Sequence, residues 1–254
     1  MFKFGLRSCL ILTLSWSVCL AQSNKSGDTA SQSFAVVELF TSQGCSSCPA
    51  ADRYLSQLTK RAERNDLPLY TLSFHVDYWD YLGWKDPFAS KAFTQRQRNY
   101  ASHQRSSRVY TPQMMINGQW GFVGSDRSEG DRLLAKALSK KPKESLSIAM
   151  SGDWRGSKIS VDFSVAGEAS GYRMNVALVE TNLSRKVLRG ENRGRKLDHD
   201  HVVRAFTTET LGRSGKGNVS LTVPEGVDRD HVQLIGYVQE RGPGEIVAVT
   251  MISL

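Results

Sequence analysis

Cys45 and Cys48 are separated by two serines, a spacing that lets their sulfurs meet as a thiol–disulfide couple. Before the pair, residues 34–40 (FAVVELF) form a short apolar, β-branched run that predicts a strand buried on both faces. After it, residues 50–63 place Ala51, Leu55, Leu58 and Ala62 on one helical stripe. Pro49 suits the first turn of that helix, where a missing N–H costs nothing. A cysteine at a helix N-terminus meets unpaired N–H groups and the positive end of the dipole, which lower its pKa. Cys45 is therefore expected to be the exposed nucleophile and Cys48, on the first turn, the shielded resolving thiol. The competing reading is a static disulfide. Closing so short a loop removes little entropy from the unfolded chain, so redox use is favoured over stabilisation.

Residues 67–76 (LPLYTLSFHV) predict a second strand, running into His75-Val76-Asp77. Alternation puts His75 and Asp77 on one face, at the edge where the cysteines should lie. His75 could move a proton during thiol exchange or supply a third ligand to copper or zinc beside Cys45 and Cys48. It could also simply anchor the following segment through hydrogen bonds. Trp79, Tyr81, Trp84 and Phe88 in that segment read as the packed cover of an inserted helix, with a groove wall as a secondary role. Residues 185–204 hold Lys186, Arg189, Arg193, Arg195, Lys196, His199 and His201 with Glu191, Asp198 and Asp200 among them. Arginine forks there could hold an anion, but a solvated hairpin or a polar interface against the first half is preferred. Interspersed acids and missing aromatics argue against nucleic acid.

The elements that position these groups belong to a chain of 254 residues, 40% hydrophobic and 23% charged. That excludes a disordered or collagenous chain, and four cysteines are too few for a disulfide-held mini-scaffold. Lys3 and Arg7, an uncharged and mostly apolar stretch 8–20, and Ala21 describe a signal peptide at 1–21, too short to span a membrane. Its loss removes Cys9 and Cys19 and takes 33 basic residues to 31 against 25 acidic, so the formal charge falls from +8 to +6. The mature protein is then exported, periplasmic or extracellular, with no membrane span, in a compartment that oxidises thiols. Residues 22–33 read as a flexible lead-in.

Residues 34–142 read as βαβ, a helical insertion at about 77–108 with a helix near 91–104, and then a ββα unit. Its strands at 109–117 and 120–124 flank an Asn117-Gly118 hairpin turn, and its helix at 126–140 is stopped by Pro142. Residues 145–254 read as seven short strands forming an all-β sandwich. No phosphate-binding loop, dinucleotide fingerprint, Ser–His–Asp motif or zinc-protease helix is present.

The runs ELFTSQGCSSCPAADRYL, FHVDYWDYLGWKDPFAS, VYTPQMMINGQWGFVGSD and GENRGRKLDHDHVVRA resemble a family of secreted bacterial proteins of unknown function with a thioredoxin-like domain. The resemblance covers nearly all of the mature chain. It implies an α/β thioredoxin-like domain with a helical insertion, followed by an all-β sandwich-like domain. In such a domain Pro112 is expected in cis beside the cysteines, with the Thr111 backbone free to pair with an extended peptide, so Thr111 and Pro112 would bind substrate. Ser-Ser departs from thioredoxin's Gly-Pro, and no tryptophan directly precedes Cys45. Glu38 could approximate thioredoxin's buried proton-moving acid, or could be a strand glutamate paired with a base.

The expected activity is that of an exported thiol–disulfide oxidoreductase with Cys45 and Cys48 catalytic. Glu38, His75 and Asp77 are candidates for proton transfer. No organic cofactor is expected, and the partner is a cysteine-containing exported protein or a small thiol. The alternative is a non-catalytic peptide-, anion- or metal-binding protein with a structural disulfide.

Overall fold

The computed structural model describes Met1 and residues 32–254. The signal peptide read at 1–21 and most of the lead-in at 22–33 lie outside the described residues. The protein is a mixed α/β structure with one large mixed sheet, two smaller antiparallel sheets and, among the described residues, three helices.

Strand β1 (Ala35–Thr41) is buried along its whole length, as an apolar run covered on both faces must be. After a turn comes α1 (Cys48–Asn65), which begins two residues before the apolar stripe suggests and has Pro49 in its first turn. It buries Ala51, Leu55, Leu58 and Ala62 against Val37 and Leu39 of β1. Each buried leucine there contributes about 1.5–3 kcal/mol. Strand β2 (Leu69–His75) pairs with β1 in parallel, and α2 (Lys91–His103) follows with Ser90 as its N-cap. Strands β3 (Gln113–Ile116) and β4 (Trp120–Val123) form the expected hairpin. Its turn places Asn117 at φ 49° and Gly118 at φ 69°, and a Cβ on Gly118 would lie 2.1 Å from the Gly244 carbonyl oxygen. Helix α3 (Arg127–Ser139) is capped by the Asp126 carboxylate, which accepts from the Glu129 N–H at 3.1 Å.

The second half supplies β5 (Ser147–Arg155), β6 (Lys158–Ala166), β7 (Arg173–Glu180), β8 (Leu183–Lys186) and β9 (Lys196–His199). It continues with β10 (Val202–Thr210), β11 (Lys216–Thr222), β12 (Val232–Gln239) and β13 (Ile246–Ser253). The large sheet runs β13-β12-β7-β10-β2-β1-β3-β4, so strands on either side of residues 142–145 share it. The join is narrow. Val202 of β10 pairs in parallel with Ser73 of β2, and the Ser73 N–H donates to the His201 carbonyl at 2.8 Å. A three-stranded sheet, β11-β6-β5, packs Ile159, Val161 and Phe163 onto Val176, Leu178 and Leu234 of the large sheet. The remaining hairpin, β8-β9, lies in the segment read as a solvated hairpin or polar interface. Its polar residues give no apolar alternation, so two strands appear beyond the seven the pattern marks.

Candidate functional site

The cysteines sit where β1 gives way to α1, at the carboxyl end of the sheet's parallel pair. Gly44 lets the turn press against Trp79, whose Cβ would lie 3.0 Å from a Cβ placed there. The Cys45 N–H donates to the Ser42 carbonyl at 3.2 Å, and the Gln43 N–H donates to Asp86 Oδ2 at 2.8 Å. Ser47 is the N-cap residue of α1 but its hydroxyl makes no capping bond; it lies 3.3 Å from Cys45 Sγ instead. Both thiols are free. The Thr111–Pro112 peptide is cis, and the Cys45 thiol donates to the Thr111 carbonyl at 3.9 Å. The Trp79 indole N–H donates to Thr111 Oγ1 at 2.7 Å, tying the inserted segment to the same corner.

The two sulfurs ionise very differently. A hydrogen bond from the Cys48 thiol is the largest influence on Cys45, and with bonds from Ser47 and Thr111 it outweighs burial and lowers the pKa from 9.0 to about 6. Burial pushes Cys48 far above the ordinary thiol range, and its bond to Cys45 and the Asp52 charge act in the same direction. Asp52, one helical turn beyond Cys48, is itself buried. Burial raises its carboxyl from 3.8 to about 7, against the opposing charge of His75 and a bond from Thr41 Oγ1 at 2.8 Å.

Below the cysteines, His75 and Asp86 pair at 2.7 Å with both side chains fully buried. Burial alone would lower the His75 pKa, but the Asp86 carboxylate more than offsets this and raises it. Burial likewise opposes ionisation of Asp86, yet His75 and the N–H groups of Gln43 and Phe88 hold its carboxyl low. His199 stacks edgewise on His75 with ring centroids 4.9 Å apart, and burial followed by the His75 charge lowers its pKa to about 3. The Trp84 indole donates to Gln43 Oε1 at 3.0 Å, which turns the Gln43 amide nitrogen toward His199 Nε2 at 3.2 Å. Neutral His199 therefore carries its proton on Nδ1, 3.9 Å from Asp52 Oδ2. Asp52 Oδ2, His75 Nε2 and His199 Nδ1 are all buried without a hydrogen-bond partner.

The loop between β8 and β9 closes over this corner. Asn192 Nδ2 donates to the Gln43 carbonyl at 2.9 Å and the Cys45 carbonyl at 2.8 Å, while Glu191 Oε2 accepts from the Ser46 N–H at 2.9 Å. The expected exposed nucleophile is buried: Cys45 is only 1% exposed, and Ser46 and Ser47 carry the open surface. The sequence reading missed this because the groups packed at this corner, Trp79, Thr111 and Asn192, are distant from Cys45 in the chain.

The other sequence candidates separate. Glu38 accepts from Arg96 Nε at 2.8 Å, from Tyr237 Oη at 3.0 Å and from Tyr100 Oη, so its carboxylate is held in a buried ion-pair cluster on the α2 face. Asp77 accepts from Thr94 Oγ1 at 2.5 Å and tethers α2 rather than joining His75. The strand ends at His75, so the period of two does not carry to residue 77, and Asp86 takes the place expected of Asp77. Asp52, His199 and Asn192 are site residues that sequence reasoning missed. For Asp52 the signal was an acid four residues after Cys48 on an otherwise apolar helix face. Among the described residues no three His, Cys, Asp or Glu side chains are grouped to hold a metal ion, which leaves Cys45, Cys48 and His75 without such a site. No helix among the described residues is long and apolar enough to cross a membrane. A cavity of about 460 Å³ lies elsewhere, between the start of α2 and strands β10 and β11.

Comparison with solved structures finds similarity to the crystal structure of protein AGR_C_4864 from Agrobacterium tumefaciens. It is 28% identical, with a TM-score of 0.63 over 87% of this chain and 94% of that one. A β-glucuronidase from Ruminococcus gnavus matches at 11% identity and a TM-score of 0.23 over 46% of this chain and 17% of its own. A β-glucosidase from Kluyveromyces marxianus matches at 17% identity and a TM-score of 0.21 over 43% and 13%. Likeness that slight carries no argument. No curated protein matches. The family model described as "Protein of unknown function (DUF1223)" matches residues 36–239, the span that contains the cysteine pair, its buried acid and the covering loop, and the chain belongs to that family.

Proposed function

We propose that this protein is an exported thiol–disulfide oxidoreductase. On this reading residues 34–142 are a thioredoxin-like domain with an insertion at about 77–108, and residues 145–254 are a β-sandwich-like domain one of whose layers, β13-β12-β7-β10, continues the first domain's sheet through β10. The observation that carries the proposal is the pairing of two free thiols at the start of α1, beside Thr111, with the buried Asp52 carboxyl one turn beyond Cys48.

In the reducing direction the Cys45 thiolate attacks one sulfur of a substrate disulfide. The substrate S–S bond breaks, and the first leaving thiolate takes up a proton. Cys48 gives its proton to Asp52 and attacks Cys45 Sγ, which closes the Cys45–Cys48 disulfide and releases the second substrate thiol. Two electrons pass from the protein dithiol to the substrate. The oxidising direction is the reverse. Thr111 and Pro112 would border the reacting sulfurs, and His75 would hold charge near Asp52 with neutral His199 beside it. Glu38 and Asp77, fully engaged elsewhere, are assigned structural roles.

Burial of both sulfurs favours the second reading, a binding protein in which the pair is structural. Substitution of Cys48 by Ser separates the two. The oxidoreductase reading expects covalent Cys45 adducts with exported proteins or small thiols, lost on adding reductant. No adduct from the Cys48→Ser chain, together with no disulfide reductase activity of the native chain, would sink it.

A further inference from the structure

Half of the chain's net positive charge is concentrated beside its cysteines. The segment 185–198 carries Arg185, Lys186, Arg189, Arg193, Arg195 and Lys196 against Glu191 and Asp198, a net +4 within a chain of +8. All six basic residues are exposed, and among the described residues none has an ion-pair partner. Unpaired like charges held together repel, so the arrangement carries a standing cost that an anion would relieve.

The fold ties this charge to the sulfur. Arg195 Nη1 donates to Asn192 Oδ1 at 2.8 Å, and Asn192 donates in turn to the Cys45 carbonyl at 2.8 Å. Arg189 lies against Gly83, its Cδ 3.9 Å from where a Cβ there would stand, and Gly190 packs on Trp84, whose indole holds the turn before Cys45. In the middle of the segment a carboxylate is already bound, since Glu191 Oε2 takes the Ser46 N–H at 2.9 Å. Glu191 thereby occupies the position beside Cys45 that a substrate carboxylate would take.

We propose that the substrate of the dithiol is a small disulfide bearing carboxylates, which displaces Glu191 from the Ser46 N–H and settles between Arg189 and Arg193, two residues either side of Glu191. This rests on the oxidoreductase reading and names its substrate class. A small molecule is favoured over a folded protein because Cys45 is buried and the open surface of its turn is limited to Ser46 and Ser47. The step balances as above: the protein dithiol is oxidised to the Cys45–Cys48 disulfide, and the anionic disulfide is reduced to two thiols that carry the two protons.

The test uses the reduced full-length mature chain and two probes of matched disulfide chemistry, glutathione disulfide and the same molecule with all four of its carboxyls esterified. Oxidation rates are measured at low and high salt. The expected result is a preference for the free acid of about tenfold or more at low salt that shrinks towards unity in about 0.5 M salt. Arg189→Gln with Arg193→Gln should cut the preference at least threefold; the salt series on the native chain needs no variant. Glu191→Gln should raise the free-acid rate more than the ester rate. Equal, nonzero rates for the two probes, or a preference indifferent to salt, would overturn the substrate class and leave the redox reading intact. An acidic protein disulfide that outruns glutathione disulfide with the same salt dependence would overturn the small-molecule assignment. No oxidation by either probe, with both thiols titrating as free, would overturn the redox reading and the substrate class together.

Discussion

Replacing Asp52 by Asn should make the protein more stable and its chemistry slower. The substitution keeps an oxygen where Thr41 Oγ1 donates at 2.8 Å, removes the charge, and puts an amide NH2 in place of Oδ2, which has no hydrogen-bond partner. Groups from every side face that charge: Cys45 in the turn before α1, Cys48 on α1, Thr41 on β1, His75 on β2, Asp86 in the insertion and His199 on β9. Burial raises the Asp52 carboxyl from 3.8 to about 7, which corresponds to about 4 kcal/mol against the charged form. Below 3.8 the carboxyl is protonated in the folded and unfolded chain alike, and no stability is lost. Between 3.8 and about 7 the unfolded carboxyl ionises first, the folded state binds more protons, and stability falls as pH rises. Above about 7 the loss is complete.

Urea denaturation of wild type and Asp52→Asn from pH 4 to 8.5 should therefore show curves that meet at the acid end. They should separate to as much as about 4 kcal/mol at the basic end, with the variant the more stable. In parallel, closure of the Cys45–Cys48 disulfide from a mixed disulfide on Cys45 should slow by about 10²-fold or more, because Cys48 has lost its proton acceptor. A variant no more stable than wild type at pH 8 would refute the buried-charge argument. An unchanged closure rate would refute the proton-transfer role.

Two further substitutions separate structural groups from the site. Glu38→Gln leaves the Arg96 guanidinium buried without its counter-charge and should cost about 3 kcal/mol or more in urea denaturation. It should leave the pH profile of Cys45 alkylation unmoved; a shifted profile would restore Glu38 to the site. Asn192→Ala withdraws a donor from the Gln43 and Cys45 carbonyls and should destabilise by about 1–3 kcal/mol. It should also speed iodoacetamide reaction at Cys45 several-fold, and an unchanged rate would mean the loop is no barrier.

The local elements were legible in the sequence for local reasons. The unbroken apolar run of β1, the stripe of α1 and the Asn117-Gly118 turn each depend on neighbours a few residues away. What escaped was non-local. A single pairing, Val202 with Ser73, merges the strands of both halves into one sheet, and no periodicity announces it. Alternation puts His75 and Asp77 on one face, but the strand ends at His75, and the acid that meets its ring is Asp86 from the insertion. Asp52 was overlooked for a different reason. A helical stripe is read by its apolar members, and the acid among them becomes informative only once Thr41 and His199 are seen beside it. The arginine-rich segment was noticed as a possible anion site, yet its place over Cys45 depends on a contact between Asn192 and the turn before α1.

The central claim is that Cys45 and Cys48 form a working redox couple, and its most direct test is the reduction potential of that pair. Equilibrating the protein in a series of thiol–disulfide buffers and quenching by alkylation measures it. A working couple should fall in the range of about −120 to −270 mV spanned by oxidoreductases of this chemistry. A potential below about −300 mV would mark a structural bond and contradict the account.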